Sequence, residues 1–455
     1  MISTLATLAT FSFHDSLCLK KHLLKIPTAL LLILGLFVNH SCTKDSPQST
    51  PSVLTDAALL DTVQAYTFDY FWTGAHQASG MALERSNGGG KIVTSGGTGF
   101  GVMTMIVAVE RGFITREAAV ERLLKITDFL LSSERFHGAF AHWYNGDTGK
   151  VVNFSAQDDG GDLVETAFMI QGLLTVRQYF SLNNESESLL RERIRQLWEG
   201  VDWNWYIQEG KNYLTWHWSA NHGFAIDLPI AGYHEGLIVY ILAASSPTHP
   251  IDVSTYHEGW ARNGALVNGN SYFGFQLPLG VPYGGPLFFT HYSFLGLNPT
   301  NLQDTYANYW EQNLAHVQIN RAHCIENPHN YPGYGPRIWG LTASDSTQGY
   351  AAHSPSNDLG VISPTAALSS FPYTPEYAME FLRYLYEHRK EDLFGPYGFY
   401  DAFSDANHWV APSYLAIDQG PIVLMIENYR TGLLWNLFMS SPEIQQGLDK
   451  LQFSY

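Results

Sequence analysis

The chain has 455 residues, 45% of them apolar and only 15% charged, so it can bury a large core in one or two domains. Its net charge of −17 argues against a polyanionic partner such as nucleic acid and leaves a neutral ligand open. Aromatic residues reach 14%, with 12 Trp and 26 Tyr, and they lie in loops as well as in core-like runs. Aromatic faces outside a core stack on sugars or bases, whereas inside one they are simply bulk.

The N-terminus reads as a targeting segment. Lys20, Lys21 and Lys25 precede an apolar run from Ile26 to Val38, short for a membrane span and suited to a signal h-region. Cys42 follows it as a lipoprotein-type acylation site, which makes 1–42 a signal segment and 43–55, with "SPQSTPS", a flexible tether. The expected location is the cell envelope, as a periplasmic or outer-membrane lipoprotein whose only membrane contact is the lipid. Once residues before Cys42 are removed, Cys324 is the one other thiol, which supports neither a disulfide framework nor a zinc cluster.

From 56 to 455 the pattern fits one domain of alternating helix types. Gly101–Arg111 is apolar almost all round, Thr115–Ser133 is amphipathic, Gly161–Phe180 is mostly apolar and Glu185–Trp198 is amphipathic again. Ser363-Pro364, Thr374-Pro375 and Ser441-Pro442 each set a cap residue before a first-turn proline. Gln419–Phe438 is another apolar helix, with Pro421 in its first turn. All-round apolar helices lie inside and amphipathic ones face water. The alternation therefore predicts an all-α (α/α)6 toroid, with "GAFAHWYN" and "KVVNFS" as a small hairpin set on one rim. Long loops such as "SNGGGKIVTSGGTG" and "NPHNYPGYGPRIWG" disfavour a plain bundle and are candidate functional loops.

Acids recur where the apolar helices begin. In "QDDGGDLVETAFM", Asp158 and Asp159 are placed to cap a helix, while Asp162 and Glu165 share a face one turn apart. Glu165 lies past the usual cap among apolar neighbours, where a carboxylate needs a partner, a ligand or a task. The spacing is not that of an EF-hand loop. In "TWHWSANHGFAIDLPIAGYHEGL", Glu235 opens a second apolar helix behind Tyr233 and His234, and Trp216 and Trp218 share one side of an extended segment. His217, His222 and His234 lack the i, i+4 pairing of a helical zinc site, so no metal is expected. His291 and Tyr292 in "GPLFFTHYSFLGL", and Asp401, Trp409 and Asp418 further on, again precede apolar runs; Arg85 is a candidate for a buried ion pair with one of the acids.

"GGTGFG" lacks the Lys-Ser/Thr of a P-loop and follows no strand, and there is no G-x-S-x-G. Carboxylates and aromatics remain. Two carboxylates flanking an acetal are what glycoside hydrolysis needs, with no cofactor. A sugar-handling lyase would want a more basic site, and a non-catalytic glycan-binding lipoprotein would leave the acids without a task.

The segments "GTGFGVMTMIVAVERGFIT", "DLVETAFMIQGLLTVRQYF", "AGYHEGLIVYILA", "GPLFFTHYSFLGL" and "AIDQGPIVLMIENYRTGLLW" resemble the bacterial glycoamylase-like domain, which includes glycoside hydrolase family 144, the endo-β-1,2-glucanases. The resemblance runs from about Leu59 to about Leu448. It implies an (α/α)6 toroid with a central site acting on a β-linked glucan, most simply β-1,2. It also implies functional acids at Asp158, Asp162 and Glu165 (D-x-x-x-D-x-x-E) and at Glu235 (G-Y-H-E). On these terms Glu235 is the general acid, and Asp162 or Glu165 holds or activates the water in an inverting reaction. Arg85, Trp216, Trp218, His234, His291, Tyr292, Asp401 and Trp409 are the candidate substrate contacts. A monomer is expected.

Overall fold

The computed structural model describes residues 54–455. The signal segment, Cys42 and all but the end of the tether lie outside the described residues.

The outer layer begins with α1, Asp56–Trp72, whose first turn is capped by the Thr55 hydroxyl accepting from the Ala58 N–H. The first inner helix, α2, spans Ser95–Glu110, and every residue from Ser95 to Ala108 is buried. Then α3 (Arg116–Ser132), α4 (Leu163–Tyr179), α5 (Glu185–Glu199) and α6 (Leu237–Ser245) continue the alternation. Helices α4 and α6 are buried on all sides, from Leu163 to Val176 and from Leu237 to Ser245. By contrast α3 and α5 bury one stripe, in α5 Leu190, Ile194, Leu197 and Trp198, and turn most of their charged residues outward, while Glu187 is buried against Arg116 of α3.

The second half keeps the order with shorter pieces. Tyr256–Trp260, a π-helical turn, Tyr309–Glu326 and Pro375–His388 are outer. Phe288–His291 with the turn Tyr292–Leu295, Pro364–Leu368 and Ala416–Thr431 are inner. The inner ring closes because Ala416–Thr431 packs on α2 and α2 packs on α4. The outer ring closes where Arg383 pairs with Asp56 of α1. The sequence pattern thus finds the toroid. Among the described residues no helix is long and apolar enough to cross a membrane.

Two helix bounds differ from the sequence reading. Ser95–Gly99, taken for the end of a long loop, is part of the first turns of α2. Its glycines lower helix propensity, yet tertiary contact demands them: a Cβ on Gly99 would lie 2.4 Å from the Phe168 carbonyl oxygen of α4, and one on Gly172 would lie 2.1 Å from the Gly99 oxygen. These two helices touch backbone to backbone. Farther on, the predicted Gln419–Phe438 helix is two, Ala416–Thr431 and Leu433–Met439, broken at Gly432 with φ +68°.

The strands are short, some in local hairpins and others paired across long stretches of chain, and two of them lead straight into inner helices. Ile92–Thr94 pairs with Trp143–Asn145, which pairs with Val151–Val152. Gly161–Asp162 pairs with His217–Trp218 and hands the chain directly into α4.

Candidate active site

At the mouth of α4 the cap falls on a different acid from the one expected. Asp162, not Asp158 or Asp159, is the N-cap: its Oδ1 accepts from the Val164 and Glu165 N–H groups, both at 2.9 Å. Its Oδ2 faces His142 Nδ1 at 3.1 Å and His217 Nε2 at 3.4 Å. Asp158 is buried and sits 3.2 Å from the same His217 nitrogen. Asp159 stays at the edge, accepting from Asn221 at 2.6 Å. The pairing of Asp162 with His217 in the strand register is what brings these groups together.

Glu165 is buried one turn into α4. Its Oε2 accepts from the Gly96 N–H at 2.6 Å, and its Oε1 lies 3.8 Å from His142 Nε2. A Cβ on Gly96 would lie 2.7 Å from that Oε2, so only glycine lets the α2 terminus reach the carboxylate. Burial raises the Glu165 pKa and Asp162 adds to the rise, against the lowering effect of His142 and Gly96. Burial alone would lower His142, but Glu165, Asp162 and Asp158 outweigh it and push it up to about 10. In the same way Asp158 and Asp162 outweigh burial at His217 and push it to about 9. Burial would raise Asp162, but hydrogen bonds from the two imidazoles hold it well below the usual carboxylate range. Both shifts favour the protonated ring, with His217 Nδ1 left facing no hydrogen-bond partner.

His142, Asp158 and Asp162 also offer ligand atoms within 4.8 Å of one another, a spacing a metal ion could use. The same carboxylate oxygens face His142 and His217, so a cation there would compete with the protons those rings hold.

At the mouth of α6, Gly236 is the cap and Glu235 stands just before it. Glu235 Oε2 lies 3.2 Å from His234 Nδ1, and the Trp216 ring stacks on His234 at 5.7 Å between centroids, 17° from parallel. The Ser293 hydroxyl donates to the Glu235 carbonyl and accepts from the Ile238 N–H at 3.1 Å. Glu235 is thereby fixed to the next inner segment, beside Tyr292.

A third acid group fills the mouth of Ala416–Thr431. Arg85 does form an ion pair, only partly buried, with Glu84 at 2.9 Å and Asp345 at 3.1 Å and with none of the α4 acids. Asp401 Oδ2 accepts from the Asp345 N–H at 2.7 Å, and the Ser413 hydroxyl donates to Asp345 at 2.6 Å. Asp418, in the first turn of its helix, neighbours Asp401. Tyr292 lies beneath, packed on Phe100 of α2 and Phe168 of α4 at 5.2 and 5.7 Å. Burial, then Asp418, Tyr350, Glu235 and Asp401, drive its hydroxyl pKa well up, so the α6 and Ala416–Thr431 mouths meet at this ring.

Other candidates lie elsewhere. His291 is buried against Ser370, its Nε2 3.1 Å from the hydroxyl, and burial lowers it to about 3, so it ties two inner segments together and contacts none of the acids. Trp218 packs on His137 and Trp205, and Trp409 sits in the Phe403–Ser404 hairpin against Val361, Ala402 and Ala411. The sequence reading missed His142, Glu84 and Asp345. His142 is followed by the aromatic run Trp143–Tyr144 in a strand that feeds the rim, which was its one signal.

The architecture defines a two-layer helical toroid whose inner-helix mouths gather buried carboxylates beside histidine and aromatic rings. The Glycoamylase family model, described as "Putative glucoamylase", matches residues 227–442. A solved structure of an endo-β-1,2-glucanase from Chitinophaga pinensis, in complex with sophorotriose and glucose, is 56% identical with a TM-score of 0.87, covering 89% of this chain and 99% of that one. A "putative glucoamylase" structure from Bacteroides uniformis is 56% identical with a TM-score of 0.87, covering 89% and 98%. An exo-β-1,2-glucooligosaccharide sophorohydrolase of Parabacteroides distasonis is 45% identical over 436 residues, 91% of this chain. The chain spans about 60% of that relative's length. The chain belongs to the bacterial glycoamylase-like family.

Proposed function

We propose that this protein is a glycoside hydrolase that cleaves β-1,2-linked glucan by inversion, with Glu235 as general acid. The observation that supports this reading is the convergence of carboxylates from three inner-helix mouths, those of α4, α6 and Ala416–Thr431, on one end of the ring. Ser293 fixes the Glu235 backbone carbonyl, and the Glu235 carboxyl lies beside His234, whose Nδ1 accepts from the Gly236 N–H and whose ring stacks on Trp216; a protonated carboxyl there can give its proton to an acetal oxygen. Both oxygens of Asp162 are engaged, so it organises the two imidazoles, and Glu165 is the α4 acid with an oxygen able to hold water. The names of the Chitinophaga and Parabacteroides relatives support the β-1,2 linkage, and the higher identity to the former favours endo cleavage.

The test is product profiling of the pure protein on β-1,2-, β-1,3- and β-1,4-glucans and starch. Mixed β-1,2-gluco-oligosaccharides with an α-configured first product are expected. Sophorose as the sole product would replace endo with exo cleavage, a β-configured first product would overturn inversion, and cleavage of another polymer alone would overturn the substrate. The same reading takes the protein as a monomer anchored in the cell envelope by lipid on Cys42. Metabolic labelling with a fatty acid should mark the wild type and not Cys42→Ala, and labelling of both would sink it.

A further inference from the structure

Trp205 is 40% exposed, although tryptophan is highly buried on average. Its local fold explains the placement. In the 3-10 turn Trp203–Tyr206, residues three apart share a face, so Trp203 and Tyr206 are buried and Trp205 points out. Asp202 caps the turn, accepting from the Trp205 N–H at 3.2 Å.

One face of Trp205 is backed by other rings. His137 lies nearly parallel to it, 3.6 Å between centroids and 12° apart, and Trp218 meets both rings edge-on at 4.6 and 5.7 Å. The backbone holds this stack in place. His137 and Gly138 both take positive φ in the tight turn between Arg135–Phe136 and Ala139–Phe140. A Cβ on Gly138 would lie 1.8 Å from the Gly200 oxygen, so the turn seats directly on the end of α5. The Asp202 N–H donates to the His137 carbonyl at 2.9 Å, and the Tyr206 hydroxyl donates to the Phe136 carbonyl at 2.9 Å. Burial lowers the His137 pKa against the pull of Asp202, so the stacked rings are neutral.

This platform is joined to the acids. Trp218 pairs with Gly161 in the same register that pairs His217 with Asp162. Trp216 lies two residues back on the same side of the extended segment, about 6.6 Å along it. Its ring stacks on His234, the neighbour of Glu235. Both Trp216 and Trp218 are only half-buried, so three indoles run from the Glu235 side of the cleft to the open surface.

We propose that Trp205, backed by His137 and Trp218, is an accessory site that holds a neutral glucan chain by stacking outside the cleft, with Trp218 and Trp216 leading that chain to Glu235. A flat indole face suits the C–H face of a sugar ring, and its edge N–H suits a hydroxyl. Arg135 and Asp202 flank the platform with opposite signs, so it favours no ionic ligand, and the net charge of −17 disfavours a polyanion further. A backing fixed before binding costs little ordering entropy when the chain arrives. The assignment rests on the cleft being a glucan site.

The experiment uses the full chain carrying Glu235→Gln, which prevents turnover. Binding of linear β-1,2-glucan is read by retardation in native gels containing the polymer, and binding of sophorotriose by calorimetry. Adding Trp205→Ala should weaken polymer binding about tenfold and leave sophorotriose affinity within about twofold, because a trisaccharide seated beside Glu235 does not need the outer ring. Adding Trp205→Phe keeps a ring and most of the retardation. Should Trp205→Ala fail to fold, Trp205→Gln removes the flat face and makes the same test. Parental retardation in the Ala variant, or equal loss of polymer and sophorotriose, overturns the accessory site alone. A change in sedimentation with glucan binding intact also overturns it and assigns the face to contact between copies of the chain. A parent that binds neither polymer nor sophorotriose overturns the glucan reading and the accessory site with it.

Discussion

His142 is the side chain through which the α4 acids are held, and removing its charge gives a result with a definite sign. His142→Asn keeps a donor where Nδ1 faces Asp162 and removes the positive charge. The folded imidazole titrates at about 10, against about 6.5 for a free histidine. A group whose folded pKa is raised gives stability that is fully present below its unfolded pKa and is lost as pH rises through the folded one. The wild type should therefore exceed His142→Asn in stability below about pH 6.5, with the margin fading between about 6.5 and 10. At 1.36 kcal/mol per unit the margin is at most about 5 kcal/mol, counted once because the depression of Asp162 is the same interaction seen from its partner. The catalytic consequence runs through Glu165. A charge pair 3.8 Å apart at an effective dielectric near 20 is worth about 4 kcal/mol, or about three pKa units. Losing it raises Glu165 further, so the acid limb of kcat/KM should move up by about one to three units. Urea unfolding at a series of pH values gives the first quantity and a pH–rate profile the second. A stability difference that stays constant from pH 6 to pH 10 would refute the charged His142 and the argument built on it.

Gly172→Ala should cost about 1–3 kcal/mol, because its Cβ would sit 2.1 Å from the Gly99 oxygen and force α2 from α4; an unchanged denaturation midpoint would contradict the close packing. Trp216→Ala removes the ring stacked on His234 and should raise KM about tenfold with a smaller change in kcat; a normal KM would remove Trp216 from the substrate site.

The layered helices were legible because burial on all sides and burial on one side leave different sequences. Helix α2 from Gly101 onward and α4 could not be mistaken for surface helices, and α5 could not be mistaken for core. The first turns of α2 were not legible, since Ser95–Gly99 carries loop composition for a tertiary reason, the backbone approach of α4 and Glu165. The acids were visible individually, but their roles depend on partners far along the chain. Asp162 is the cap as well as a site acid, because one oxygen meets two backbone N–H groups and the other meets two imidazoles, one from position 142 and one from 217. Nothing local could have joined Arg85 to Asp345, or Tyr292 to Asp418. His291 misled because a polar residue before an apolar run fits a core hydrogen bond to Ser370 as well as it fits a ligand contact.

The most direct test of the account is the rate at which Glu235→Gln cleaves linear β-1,2-glucan, measured by reducing-end release at pH 6 with folding checked by circular dichroism. Glutamine keeps the shape and the His234 contact but cannot give up a proton, so the rate should fall by about 10² to 10⁴-fold while the protein stays folded. A folded Glu235→Gln protein that works at near the wild-type rate would contradict it.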